Sequence, residues 1–217
     1  MQDCFQSQYE QDKYLEKYFF SNKKNGVFVD IGAHDGITFS NTYYYEKCLG
    51  WNGLCIEPNP NVIDSLRNNR KCTVIEGCAL DKNCSKTFRI FEGEGQYEMV
   101  SGLVDYYSEE HSSFVDDQKF SHLLKSSKNI IVNCYNTSQL LIENGFTIID
   151  FISIDVEGCE YEIIKSLDFS KIEISVILVE NQYDNQNIRD FLLNKNYIYM
   201  GKLHVDDLFV LRGTYFY

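Results

Sequence analysis

Val27-Phe28-Val29-Asp30-Ile31-Gly32-Ala33-His34-Asp35-Gly36 decides the fold. Val27 to Ile31 has the length and apolar character of a buried strand. It delivers an acid and runs straight into a loop framed by two glycines, Gly32 and Gly36. Glycine lets a backbone take positive φ and approach a ligand closely. A buried strand that ends in a glycine loop and feeds a helix is the opening unit of a wound α/β sheet.

Outward from this unit the chain keeps alternating. Upstream, Gln8 to Phe20 reads as a short helix, followed by the turn signal Asn25-Gly26. Downstream, Thr42 to Leu49 reads as a helix, Leu54 to Ile56 as a strand, Pro60 to Asn69 as a helix and Cys72 to Leu80 as a strand. Lys86 to Phe91 and Met99 to Val104 are expected as extra strands, and Asp105 to Lys128 has no assignable pattern. Alternation resumes with strands Ile130 to Cys134, Phe151 to Ile154 and Ile174 to Val179, and helices Ser138 to Asn144, Glu160 to Leu167 and Asn187 to Asn194. Tyr197 to Leu203 and Leu208 to Arg212 close the chain as an antiparallel pair. Short, nearly all-apolar strands fit a parallel sheet covered on both faces. Ligands then bind beyond the carboxyl ends of the strands.

The 217 residues suit one domain, 1–217, with 1–25 as an N-terminal helical element and 92–128 as an insertion that shapes a second-substrate site. The net charge of -12 argues against a nucleic-acid partner, because phosphate neutralisation needs a basic face. Met1 to Glu10 lacks the apolar core of a signal peptide, and the longest apolar runs are too short to span a bilayer. Eight cysteines without a C-x-x-C pair or zinc spacing read as reduced and mostly buried, which points to a cytoplasmic protein. Sixteen Tyr and fifteen Phe suit a core first and sugar stacking second.

Four constellations fall at strand ends. Asp30 precedes the glycine loop, where a pyrophosphate would be unwelcome and the G-x-G-x-x-G fingerprint is missing. A ligand with an ammonium and a sulfonium, S-adenosylmethionine, suits it. Glu57, before Pro58, falls about twenty residues on, where α/β nucleotide folds place an acid on ribose hydroxyls. Asp155, in Ser153-Ile154-Asp155-Val156-Glu157-Gly158, and Glu180-Asn181 follow two later strands. Asp155, Glu180 and Asn181 form a set of oxygen donors fit for Mg²⁺ or Mn²⁺. Alternatively Asp155 or Glu180 acts directly as a general base. His111 is a reserve base, and His122 lies in the same unassigned segment.

Val27 to Gly36, Gly50 to Asn59 and Asp150 to Gly158, with Ser7-Gln8 and Asp12 ahead of them and Met99 to Leu103 between, resemble the FkbM-type methyltransferases in the family's order. The resemblance runs from about Ser7 to Arg212. It implies a Rossmann-like class I methyltransferase fold: α/β, a mostly parallel seven-stranded sheet with an antiparallel C-terminal strand, and helices on both faces. It implies S-adenosylmethionine as methyl donor and O-methylation, often of sugars. Carried over, Asp30, Gly32, His34 and Gly36 surround the methionine part, Glu57 the ribose and Asp81 the adenine, Gln8, Ala33 and Pro58 also contact the cofactor, and Asp155 contacts it while facing the reacting centre. The expected acceptor is a small molecule or glycan. An N-methyltransferase and a non-catalytic binding module are the alternatives.

Overall fold

The computed structural model describes residues 4–93, 99–116 and 124–214. Its main sheet has seven strands: β1 (Val27–Ile31), β2 (Asn52–Glu57), β3 (Thr73–Glu76), β8 (Ile148–Ile154), β9 (Glu173–Glu180), β10 (Tyr197–Leu203) and β11 (Asp206–Leu211). Their spatial order is β10-β11-β9-β8-β1-β2-β3. All neighbours pair in parallel except β11, which runs antiparallel to both β9 and β10. This is the expected Rossmann-like class I methyltransferase architecture.

The strand sequences explain why both faces are covered. Along a strand, successive side chains point to opposite faces. Phe28, Cys55, Phe151, Val176, Leu208 and Val210 enter one buried cluster, while Val29, Leu54, Ile56, Ile152, Ile177 and Phe209 enter the other. Helix α1 (Gln11–Leu15), its π-helical continuation Glu16–Phe20, α2 (Tyr43–Leu49) and α3 (Ile63–Asn69) close the first face through Leu15, Phe20, Tyr45 and Leu66. Helices α5 (Thr137–Glu143), α6 (Glu160–Ser166) and α7 (Gln186–Asn194) close the second through Leu141, Ile163 and Leu192.

A second sheet, β4 (Cys78–Leu80), β7 (Leu124–Asn136), β5 (Cys84–Gly93) and β6 (Gly102–Leu103), shares that second core through Leu80, Phe88, Ile90 and Val132. It corrects the single strand expected over Cys72 to Leu80. Gly77 sits at φ 145, and a Cβ there would lie 2.6 Å from the Tyr135 ring and 2.7 Å from the Asn133 carbonyl oxygen. The chain bends at this glycine and hands its last three residues to the other sheet. β7 is longer than the expected Ile130 to Cys134, because it pairs with almost all of β5. Met99 to Val104 contributes only the two residues of β6 to a strand. A 3₁₀ turn (Val104–Tyr106) and α4 (Glu109–Asp116) follow in the segment that had no readable pattern. His122 lies outside the described residues.

The cysteine expectation needs one correction. Cys4 and Cys48 form a disulfide that ties the N-terminal segment to the end of α2. The two are 44 residues apart, so local spacing carried no sign of the pairing. Cys55, Cys78, Cys134 and Cys159 are free and buried, as expected. Among the described residues no helix is long and apolar enough to cross a membrane.

Candidate active site

The carboxyl ends of β1, β2, β8 and β9 open into one cleft of about 660 Å³. Of the expected site residues, Gln8, Asp30, Gly32, Ala33, His34, Glu57, Pro58, Asp155 and Glu180 line it. Gly36, Asp81 and Asn181 do not.

The glycine loop is laced to its neighbours by backbone. Gly32 N and Ala33 N donate to Ile56 O at 3.0 and 3.2 Å, and Asp155 N donates to Ile31 O at 3.0 Å. Gly32 sits at φ 89, and a Cβ there would overlap the Asp155 carbonyl oxygen. Glycine is required at this position both by conformation and by space. His34 follows in the left-handed region at φ 48, and its N–H donates to Glu57 Oε2 at 2.9 Å. Gly36 has a packing role. A Cβ on it would meet Leu66 Cδ1 at 2.6 Å and Arg70 Cγ at 2.7 Å.

Asp30 and Glu57 are buried, and each is surrounded by donors. Asp30 Oδ2 accepts from Thr42 Oγ1 at 2.5 Å and from Ser40 Oγ at 3.3 Å, with Arg70 Nη1 3.7 Å away. Glu57 accepts from the N–H groups of His34 and Asn59, the latter at 2.8 Å. Burial pushes both carboxyls above their ordinary range, and these donors and the Arg70 charge pull back.

The other half of the cleft gathers acids with fewer donors. Asp155, Glu157 and Glu180 bring one oxygen each within 4.8 Å of one another. Asp206, from the start of β11, joins them in the lining. Asp155 is open to the cleft, yet the dense protein around it and the charges of Glu157, Asp206 and Glu160 push its carboxyl well above the usual range. Glu180 is raised in the same way, by burial and then by Asp155 and Glu157. Burial and Asp207 raise Asp206 to about 6, against a bond donated by Gln11 Nε2 at 2.6 Å. His111 is 2% exposed, stacks on Tyr107 and holds Nδ1 3.2 Å from Glu157 Oε2. Glu157 itself takes φ 62, a rare backbone conformation for a non-glycine residue that places its side chain in this cluster.

Asn181 is engaged elsewhere. Its Nδ2 donates to Asp207 Oδ2 at 2.7 Å, and its Oδ1 accepts from Asn185 N at 2.6 Å. The residue that joins Asp155 and Glu180 is Glu157, two positions past Asp155 in the motif already quoted. Asp81 is exposed at the turn after β4, and its carbonyl accepts from Asn136 Nδ2 at 2.6 Å. Cys78 and Ala79, just before it, reach the cleft instead. Arg70 and Asp206 were missed, because nothing local marks a residue that acts through a distant partner.

Residues 30–199 match the family described as the methyltransferase FkbM domain. The chain belongs to this family and is an S-adenosylmethionine-dependent methyltransferase. Among solved structures it is similar to methyltransferase FkbM from Methylobacillus flagellatus KT, at 14% identity and TM-score 0.48, covering 92% of this chain and 50% of that one. It thus spans half the length of that protein. It is similar to precorrin-6y C5,15-methyltransferase from Geobacter metallireducens GS-15, at 13% identity and TM-score 0.47, covering 97% and 90%. A third is M. capricolum TrmK in complex with S-adenosyl-homocysteine, at 11% identity and TM-score 0.44, covering 94% and 69%. No curated protein matches the chain.

Proposed function

We propose that the enzyme methylates a hydroxyl of a neutral sugar, with Asp155 and Glu180 as the groups that take the hydroxyl proton. The observation that carries this reading is the charge of the cleft. Its described lining holds Asp30, Glu57, Asp155, Glu157, Glu180 and Asp206, and no Lys or Arg. Such a wall attracts a cationic methyl donor and repels phosphate, which argues against nucleic acids and nucleotide-linked acceptors. Beyond the acids the lining offers Gln8, Gln11, Gln182, Tyr9 and Tyr183, amides and rings of the kind that bind sugar hydroxyls and faces. Tyr9 is stacked on His204 with ring centroids 4.3 Å apart, which stiffens that wall.

In the reaction the acceptor oxygen attacks the sulfonium methyl, the O–C bond forms as the S–C bond breaks, and neutral S-adenosylhomocysteine leaves. Alignment supplies much of the acceleration. A carboxylate with a raised pKa is a better proton acceptor than an ordinary one, so the crowding around Asp155 and Glu180 serves this step. On the cofactor side, Asp30 and the 32–34 loop hold the methionine part and Glu57 the ribose. Asp155, Glu180 and Glu157 also present the hard oxygen donors that Mg²⁺ or Mn²⁺ requires, whereas the Asn181 oxygen accepts from Asn185 N outside the cleft. Such an ion, when bound, would supply Lewis-acid polarisation of the acceptor hydroxyl.

The same crowding of acids favours N-methylation of an amine as the second reading, since an ammonium is drawn to them. Methyl transfer from radiolabelled S-adenosylmethionine to methyl glycosides, to hexose phosphates and to aminosugars separates the readings. Labelled methyl glycosides support the proposal. Label confined to the amines favours the second reading, and preference for the phosphates sinks both.

A further inference from the structure

Behind the cofactor half of the cleft lies a buried cation that none of the steps above uses. Arg70 follows α3, its side chain has no exposed surface, and it does not reach the cleft. Its guanidinium makes four hydrogen bonds from its three nitrogens. Nε donates to Glu46 Oε2 at 2.5 Å, Nη2 to Thr42 Oγ1 at 2.9 Å, and Nη1 to Gly36 O and Ser40 Oγ at 3.2 and 3.3 Å. Its flat face lies 5.0 Å from the centroid of the Phe28 ring. Thr42 and Ser40 are the two hydroxyls that donate to Asp30 Oδ2. One residue therefore grips both arms of the clamp on Asp30 and the carbonyl of Gly36, at the far end of the glycine loop.

We propose that Arg70 is a positioning residue for the cofactor's amino-acid end: through Ser40 and Thr42 it holds Asp30 turned so that its remaining oxygen receives the α-ammonium of S-adenosylmethionine. Charge balance supports it. Asp30, Glu46 and Arg70 together carry one net negative charge within the protein, and the arriving ammonium neutralises it. A buried carboxylate without a nearby cation would favour its protonated form, and a protonated Asp30 has little attraction for an ammonium. The planar fork is needed as well as the charge, because the four bonds diverge from three nitrogens and a lysine ammonium cannot reach all their acceptors. The inference rests on the placing of the methionine part at Asp30 proposed above.

The test uses two probes on the whole chain, S-adenosylhomocysteine, which has the amino-acid end, and 5′-deoxy-5′-methylthioadenosine, which lacks it. Calorimetry is run on wild type, Arg70→Met, Arg70→Lys, Asp30→Asn and the double variant Arg70→Met with Asp30→Asn. Arg70→Met is expected to weaken S-adenosylhomocysteine by about 10- to 100-fold, the usual worth of a charge-assisted contact. Methylthioadenosine should bind as before, and Arg70→Lys should recover only part of the loss. In the double variant the two losses should not add, because both remove the same contact. Equal weakening of both probes would mean that Arg70 merely supports the fold, and additive losses or an unchanged affinity would likewise overturn the inference. If Asp30→Asn alone leaves S-adenosylhomocysteine binding intact, the placing at Asp30 fails first, a result distinct from failure at Arg70. Should Arg70→Met not fold, Thr42→Val cuts the same link without unpairing a buried charge. It is expected to give a smaller loss with the same selectivity for the amino-acid end, and equal loss on both probes would again overturn the inference.

Discussion

The two halves of the cleft treat the same chemical group in opposite ways. At the ends of β1 and β2, Asp30 and Glu57 are each held by two donors: two hydroxyls for one, with the Arg70 charge 3.7 Å away, and two backbone N–H groups for the other. At the ends of β8 and β9, Asp155, Glu157, Glu180 and Asp206 face one another with little besides His111 and Gln11 to relieve them. Donors hold a buried carboxylate in place and oppose the effect of burial on its proton affinity, which suits holding a ligand. Crowding makes a carboxylate eager for a proton, which suits taking one from an acceptor. On the proposed reading, the first half binds the cofactor and the second carries the reaction.

Substitutions can break that division. The largest effect is expected from Asp155→Asn, which keeps the shape of the acceptor half and removes one of its two proposed proton acceptors. Turnover should fall by about 10²- to 10⁴-fold while S-adenosylhomocysteine affinity stays within a few-fold. A matching loss of affinity in calorimetry would move Asp155 into the binding half. Gly32→Ala tests the binding half. The added Cβ would overlap the Asp155 carbonyl at a backbone conformation that alanine avoids. The expected cost is about 3 kcal/mol or more, read as a lower melting temperature and lost cofactor binding.

pH sharpens the contrast. Asp206 is 4% exposed and titrates near 6 in the folded protein, against 3.8 for a free aspartate. The native state therefore holds this proton more tightly than the unfolded chain does. Stability from this residue is full below about pH 4 and is lost as pH rises towards 6, by up to about 3 kcal/mol. Asp206→Asn can still accept from Gln11 and is expected to abolish that decline, raising the melting temperature at pH 7. An unchanged pH profile in denaturant titrations would contradict the crowding of the acceptor half. Asn181→Ala should destabilise by about 1 to 3 kcal/mol by leaving Asp207 with one donor fewer, without altering any heat of Mg²⁺ or Mn²⁺ binding. Asp81→Ala, at an exposed turn, should leave cofactor affinity within twofold.

Much of this was legible in the chain itself. The apolar runs Phe28-Val29 and Leu54-Cys55 announce strands buried on both faces, and the central strands of the main sheet were visible that way. The strand-end acids Asp30, Glu57, Asp155 and Glu180 were legible because a parallel sheet places all its carboxyl ends on one edge. Asn181 and Asp81 misled for one reason. A residue next to a strand end can turn either way, and neighbours from β11 and α5 decided which. The Cys4–Cys48 disulfide and the switch of strand at Gly77 depend on contacts far away in the chain, so no window of sequence contains them.

Taken alone, the sequence determined the class of sheet, the succession of its elements along the chain and the family resemblance, because apolar periodicity and the glycine loop are local properties of the chain. Tertiary structure decided which acids share a wall, which are relieved by donors and which are left crowded. Those outcomes turn on distances of 2.6 to 4.8 Å between residues that are 2 to 195 positions apart. Arg70 shows the difference most plainly. As a residue it is an ordinary helix-end arginine, and only the packing of α3 against the glycine loop makes it the buried cation behind Asp30.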